Sequence, residues 1–184
     1  MRGKNAVITG GARGIGEAIA RLMAKMGANI IIWDVLEDQA KATADAIAKD
    51  HGVKAAGMAV DVTKGDSVDA AVEAAVKEFG SIDILINNAG ITRDGLIIRM
   101  KEEDWDQVLA INLKGTWQCT KSVGKVMLKA RKGSIVHIAS LAGVTGNAAH
   151  ANHSATKAAH MPQPTTSTTE LYSRPHRLHD AAPG

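Results

Sequence analysis

Aromatic side chains are scarce in this chain, with three tryptophans, one phenylalanine and one tyrosine among 184 residues. The net charge is only +3, and the basic residues are not gathered into a stripe. A chain so poor in rings offers no stacking surface for bases, so no nucleic acid partner is expected. One cysteine, Cys119, excludes an internal disulfide, and a reducing cytoplasm is the expected location. No apolar run approaches the roughly 18 residues that a membrane helix needs, and the first run, near Ala6, is too short for a signal peptide. The chain is therefore expected neither to span a membrane nor to be exported. Proline is absent until Pro162; all four prolines, and five of the seven histidines, lie at or beyond His150. The two ends of the chain differ in composition.

What is present is an alternation of two periodicities. Runs rich in Val and Ile at Ala6–Thr9, Asn29–Trp33, Ala56–Val60, Ile82–Ile86 and Ser134–Ser140 read as strands. Alanine-rich stretches at Gly14–Met26, Leu36–Lys49, Lys64–Phe79 and Glu102–Arg131 read as helices, the third capped by Asp61 or Thr63. Strands apolar on both faces and joined by crossover helices make a buried parallel sheet. The sequence thus predicts an α/β, doubly wound Rossmann-like domain over residues 1–160, with ligand bound at the carboxyl ends of the strands.

The first strand runs into Thr9-Gly10-Gly11-Ala12-Arg13-Gly14-Ile15-Gly16, and a helix opens there. Gly10, Gly14 and Gly16 permit a tight turn, backbone approach to a pyrophosphate and close contact between helix and strand; Arg13 and Ile15 sit in the same turn. Asp34, eighteen residues after Gly16, can accept both ribose hydroxyls of an adenosine and repel a 2′-phosphate, which favours NAD(H). An aspartate at a strand end also caps the next helix, and that reading stands beside it. Arg13 pulls the other way, since a guanidinium in the turn reaches a 2′-phosphate and would admit NADP(H). Asp61 and Val62, after the third strand, are placed either at an adenine edge or in an ordinary helix cap.

With Asn87-Asn88-Ala89-Gly90 after the fourth strand, Asn112 in Ile-Asn-Leu-Lys-Gly, and Ser140 closing Ile-Val-His-Ile-Ala-Ser, the chain resembles the short-chain dehydrogenase/reductase family. Residues 88–96, 100–105 and 146–148 are most similar to bacterial 3-oxoacyl-[acyl-carrier-protein] reductases. The resemblance implies an NAD(P)H-dependent reduction of a small-molecule or acyl-carrier-bound ketone by a homo-oligomer, tetramer or dimer. It further implies that Asn88, Ala89 and Gly90 line the cofactor, that Ser140 polarises the carbonyl and that Asn112 supports a proton-relay water. Lys157 would bind the nicotinamide ribose and lower the pKa of a tyrosine four residues before it. A phenol of pKa about 10 needs such a cation to exchange protons at pH 7.

That tyrosine is missing: the chain reads His153-Ser154-Ala155-Thr156-Lys157. His153 takes the acid's slot, and an imidazole beside a lysine cation is biased towards its neutral, weaker form. Two functions follow: a carbonyl reductase slowed on the order of 10²- to 10⁴-fold, or a nucleotide-binding protein without chemistry. A passive His153 is the plainer alternative. His137 reads as a hydrogen-bonded core residue, and no metal is expected, because the histidines at 150, 153 and 160 lack a carboxylate or cysteine at zinc-like spacing. Residues 161–184 hold two leucines and neither Val nor Ile, and on composition they are a loop, a tail or a foreign stretch. The family has a helix and a strand there, then Ala-Pro-Gly beside the nicotinamide, then a lid. Pro183 and Gly184 keep the distance to that motif, and the chain ends before the lid. A compensated pair of reading-frame shifts and true divergence both produce such an island between matching flanks.

Overall fold

A computed structural model of the chain describes residues 1–145, 149–160 and 177–181. Six strands, β1 (Asn5–Thr9), β2 (Asn29–Asp34), β3 (Ala55–Ala59), β4 (Ile84–Asn87), β5 (Ser134–Ile138) and β6 (Arg177–Ala181), form one sheet in the order β3-β2-β1-β4-β5-β6. Every pair is parallel, as in Val7 opposite Ile31 and Leu85. The helices are α1 (Gly14–Lys25), α2 (Glu37–His51), α3 (Gly65–Phe79), α4 (Glu102–Val108), α5 (Thr116–Ala130), α6 (Ala142–Thr145) and α7 (Ala151–His160).

Alternate strand residues divide between two cores. Val7, Ile31, Leu85 and Ile135 meet α3 and α5 on one face, where Val68, Val72, Cys119 and Val123 are buried. Ala6, Ile8, Ile30, Ile32 and Ile86 meet α1 and α2 through Ala20, Ala24, Ala40 and Ile47 on the other. Strands buried on both faces need no polar alternation, which is why they read as continuous apolar runs. Small helix side chains bring the backbones close: a Cβ on Gly57 of β3 would collide with the backbone of Ala40 in α2. Since β1 is flanked by β2 on one side and β4 on the other, the crossovers leave in opposite directions there and open a crevice above the carboxyl ends.

Three expectations are corrected. The helix read over Glu102–Arg131 is interrupted: between α4 and α5, Leu109–Gly115 widens into a π-type turn. Neither Asp61 nor Thr63 caps α3, whose N-cap is Lys64 without a side-chain bond; the Asp61 carboxylate instead accepts from the Thr63 N–H at 3.0 Å and its hydroxyl at 2.6 Å. And part of the stretch read as loop or tail is a strand, because Arg177–Ala181 pairs in parallel register with β5, Ile135 opposite Leu178. Backbone pairing along the open edge of β5 does not require Val or Ile. Pro183 and Gly184 lie outside the described residues, as do 146–148.

Candidate active site

The turn after β1 is built so that backbone faces a ligand. Gly10 and Gly14 have φ of +62° and +60°, the left-handed region that side chains disfavour. A Cβ on Gly16 would strike the Gly10 carbonyl oxygen and approach Asn88 Nδ2 to 2.6 Å, so α1 enters closer than any other residue would allow. Arg13 is the N-cap of α1 in extended conformation, and no side chain caps the helix. The positive end of α1 is thereby left to an anion. Thr9 ties this turn to β4: its hydroxyl accepts from the Asn88 and Ala89 N–H groups at 3.0 and 2.9 Å, while Asn88 Nδ2 donates to the carbonyls of Thr9 and Gly10, both at 3.0 Å.

A cleft of about 480 Å³ opens over these elements. Gly10, Arg13, Gly14 and Ile15 line it with Asn88, Ala89 and Gly90 beside them, and Asp34, Asp61 and Val62 line the end above β2 and β3. Gly16 lies beneath the lining rather than in it. Asp34 does not cap α2, whose N-cap Leu36 has no side-chain cap; its Oδ2 accepts from the Ala12 N–H and its Oδ1 from the Leu36 N–H, each at 3.1 Å. Its carboxylate fixes the glycine turn and the start of the α2 connection while still lining the cleft. The Asp61 carboxyl is held below the ordinary range, chiefly by the Thr63 hydroxyl, against some opposing burial.

Asn112, His153 and Lys157 lie where α7 meets the π-type turn and the end of β5, and Ser140 follows β5 by two residues; none of the four lines the cleft itself. Asn112 is 1% exposed, and its side chain clamps the loop after β4, accepting from the Ile91 N–H at 2.8 Å and donating to the Ile91 carbonyl at 3.0 Å. Its own carbonyl accepts from the Thr116 hydroxyl at 2.7 Å. Lys157 is buried, and its ammonium donates to the Ile138 carbonyl, which pins α7 to the end of β5 two residues before Ser140. Burial pushes the Lys157 pKa down. His153, one helical turn earlier, is half-buried, with Nδ1 enclosed and, among the described residues, without a hydrogen-bond partner. Burial first, then the charges of Lys157 and His150, press its pKa below the usual imidazole value, while Asp94 opposes them.

Asp94 was invisible as a neighbour of the histidines, yet His150 Nε2 lies 3.7 Å from its Oδ1. The same loop is fastened to the start of α7 by Gly95 N–H to the Ala149 carbonyl at 2.9 Å and Asn152 Nδ2 to the Arg93 carbonyl at 2.9 Å. Thr9, Asn152 and Thr156, whose hydroxyl lies 3.5 Å from Asn112 Nδ2, went unnoticed in the sequence. So did the apolar walls Val35, Leu36, Val60 and Ile111. Only the position of Thr9, directly before the glycine turn, carried a signal. Cys119 and His137 belong to the core: both are 1% exposed, burial pushes the Cys119 thiol up to about 12, and Asn87 Nδ2 lies 3.1 Å from His137 Nδ1. Among the described residues no helix is long and apolar enough to cross a membrane, and no group of three or more His, Cys, Asp or Glu side chains is arranged to hold a metal.

Known proteins share both sequence and architecture. The sequence profile of the short chain dehydrogenase family matches residues 4–184. The 3-oxoacyl-[acyl-carrier-protein] reductase FabG of Staphylococcus epidermidis is 41% identical over 98% of this chain and 74% of its own length. FabG of Thermotoga maritima is 42% identical over 100% and 74%. The crystal structure of an NAD⁺-bound xylitol dehydrogenase superposes with a TM-score of 0.96 at 30% identity, covering 100% of this chain and 70% of that one. With a glycine turn opening an uncapped α1, a cleft at the point where the crossovers diverge, and matches along nearly its whole length, the chain belongs to the short-chain dehydrogenase family of NAD(P)-dependent oxidoreductases acting on CH–OH and C=O groups.

Proposed function

We propose that the chain reduces the ketone of a 3-oxoacyl thioester, presented on an acyl carrier protein, with NADH, and that His153 limits its rate. The names of the relatives at 41–42% identity support the substrate class. The observation that carries the reading is the anchoring of Lys157 to the Ile138 carbonyl, which holds one turn of α7, with His153 on it, against the strand end that leads to Ser140.

A nicotinamide dinucleotide fits the residues present. The uncapped start of α1 suits a pyrophosphate, the direction of a Cβ on Gly14 is open, and the cleft continues to the Asp34 carboxylate. Bound there, the cofactor supplies a hydride. Asp34 would accept from ribose hydroxyls and repel a 2′-phosphate, so NADH should bind more tightly than NADPH, by about tenfold or more, the equivalent of at least ~1.4 kcal/mol. Arg13, at the rim, is the residue that works against this preference.

In this scheme Ser140 orients the carbonyl oxygen, Lys157 holds the nicotinamide ribose, and Asn112 braces the β4 loop and the water that serves the acid. The proton comes from His153. Neutral imidazole is a poor donor, so the competent species is the imidazolium. Burial and Lys157 disfavour that species, and kcat should therefore climb as pH falls from neutrality towards the depressed pKa of His153. Replacing the group by a phenol whose ionisation Lys157 assists restores the chemistry the site is arranged for: His153→Tyr should raise kcat for a 3-oxoester by on the order of 10²- to 10⁴-fold, with NADH affinity unchanged. Equal rates for the two proteins would sink the proposal.

The enclosed Nδ1 of His153, unpartnered among the described residues, favours one second reading, a nucleotide-binding protein without turnover. Fluorescence titration that finds NADH bound, while neither the wild type nor His153→Tyr reduces a 3-oxoester, would select it. Cytoplasmic location and self-association through α5, whose Trp117 and Leu128 are exposed, accompany the reductase reading.

A further inference from the structure

His153 must regain a proton after every turnover, and beside the water braced by Asn112 its neighbours offer a second route. Its ring is half-buried. Lys157, the neighbouring cation on the same helix, has its ammonium directed to the Ile138 carbonyl at the end of β5. On the other side stands His150, whose ring meets that of His153 edge-on at a centroid separation of 6.4 Å and an interplanar angle of 79°. At that separation the two rings are beyond direct hydrogen-bond reach, and a bridging water is what would connect them. His150 in turn reaches outward. Its Nε2 lies 3.7 Å from Asp94 Oδ1, and the two side chains are 32% and 48% exposed, so exposure rises from His150 to Asp94.

We infer that His150, backed by Asp94, is a positioning residue that relays protons from solvent to His153 through a bridging water. The inference rests on the reductase reading above. The steps balance. As hydride forms the new C–H bond, the His153 imidazolium N–H breaks and the substrate O–H forms, leaving His153 neutral. The His150 imidazolium then releases its proton to the water, which passes one to His153, and His150 recovers a proton from solvent. Asp94, with Oδ1 3.7 Å from His150 Nε2, faces the ring on its outer side and is not itself consumed.

The backbone holds this geometry in place. Ala149 adopts φ +67°, unusual for a residue with a side chain, and its carbonyl accepts from the Gly95 N–H at 2.9 Å. The His150 carbonyl accepts from the Ser154 N–H at 2.8 Å, so the residue opens the first turn of α7. With Asn152 Nδ2 bonded to the Arg93 carbonyl at 2.9 Å, the loop carrying Asp94 and the turn carrying His150 are joined on both sides of the pair.

The charged and titratable groups acting on His153 are Lys157 and His150 from its own helix and Asp94 from the loop, and they define the test. In NADH-dependent reduction of ethyl acetoacetate by the full chain, His150→Gln should lower kcat on the order of tenfold while leaving KM and NADH affinity in place. Added imidazole, a mobile proton carrier, should restore most of the loss, which a merely structural defect would not permit. Asp94→Asn, which leaves the helix untouched, should lower kcat in the same direction but less. An independent readout is the NMR titration of the His153 ring: removing His150 should move its midpoint up, and removing the Asp94 charge should move it down. Unmoved midpoints, or a His150→Gln defect that imidazole does not relieve, would overturn the relay alone. A wild type that binds NADH without turnover at any pH would overturn the reductase reading and the relay with it.

Discussion

Arg131 ends α5 at φ 57°, a conformation that costs a residue with a Cβ about 1–2 kcal/mol. Its N–H bonds the Leu128 carbonyl at 3.1 Å and the Lys132 N–H bonds the Met127 carbonyl at 3.2 Å, so the left-handed turn satisfies carbonyls that a helix end otherwise strands. The corresponding positions after α2 and α3 are Gly52 at φ 64° and Gly80 at φ 81°. Arg131→Gly should therefore stabilise the fold by about 0.5–1 kcal/mol after the entropy that glycine adds to the unfolded chain. The check is a rise in the urea midpoint with NADH affinity unchanged, and a lower midpoint would refute it. The same scale shows where reading a sequence stops. The positions of Asn112, Ser140 and Lys157 come from the resemblance, through the motifs Ile-Asn-Leu-Lys-Gly, Ile-Val-His-Ile-Ala-Ser and Ser-Ala-Thr-Lys. The partners that give them their geometry come from distant segments: Ile91 for Asn112, Ile138 for Lys157, Asp94 for His150. No spacing rule connects residues 56 apart whose contact depends on how a loop lies over a helix.

Between elements, one tight constraint is the crossing of β3 and α2. A Cβ on Gly57 would occupy the same space as the Ala40 backbone, and backbone cannot step aside as a flexible side chain can. Gly57→Ala should push α2 from the sheet and destabilise the protein by about 1–3 kcal/mol, read as a lower thermal midpoint. Because Val60 and Asp61 follow β3 into the cleft, NADH affinity should weaken as well. An unchanged midpoint would mean that the crossing is looser than described. Element order was readable from the switch between strand and helix periodicities. Two elements were not. The π-type turn at Leu109–Gly115 has a glycine only at its last position, and it accompanies the tertiary bond from Asn112 to Ile91 and the local bond from the Thr116 hydroxyl to the Asn112 carbonyl. Strand β6 has a polar sequence, and what identifies it is parallel pairing with β5, which composition does not record.

At the scale of the whole molecule, the end of the sheet opposite the cleft is gathered by one carboxylate. Asp83 is 5% exposed just before β4 and accepts from the Asn5 N–H of β1 at 3.1 Å and the Ser81 hydroxyl at 3.2 Å. Lys132, leading into β5, lies at 3.0 Å, and Lys4, leading into β1, at 3.5 Å. Three strands are thus held to a single buried charge. Burial by itself would raise the Asp83 pKa, but the Asn5 N–H and the two cations outweigh it, and the net direction is down. The sign of the linkage follows: the unfolded chain binds a proton near pH 3.9, the folded one only at lower pH, so the stabilisation is complete above that value and fades as pH falls through the folded pKa. Asp83→Asn keeps the shape but loses the charge that the lysines face, and it should cost about 1–3 kcal/mol at neutral pH. Below about pH 4 the difference between the two proteins should shrink, because the wild-type carboxylate is then being protonated as well. Urea midpoints compared at neutral and acid pH would show the two curves converging. Parallel curves would place the acid sensitivity elsewhere. Since Asp83 lies at the far end of the strands from Asp34 and the glycine turn, NADH affinity at neutral pH should be the same in both proteins.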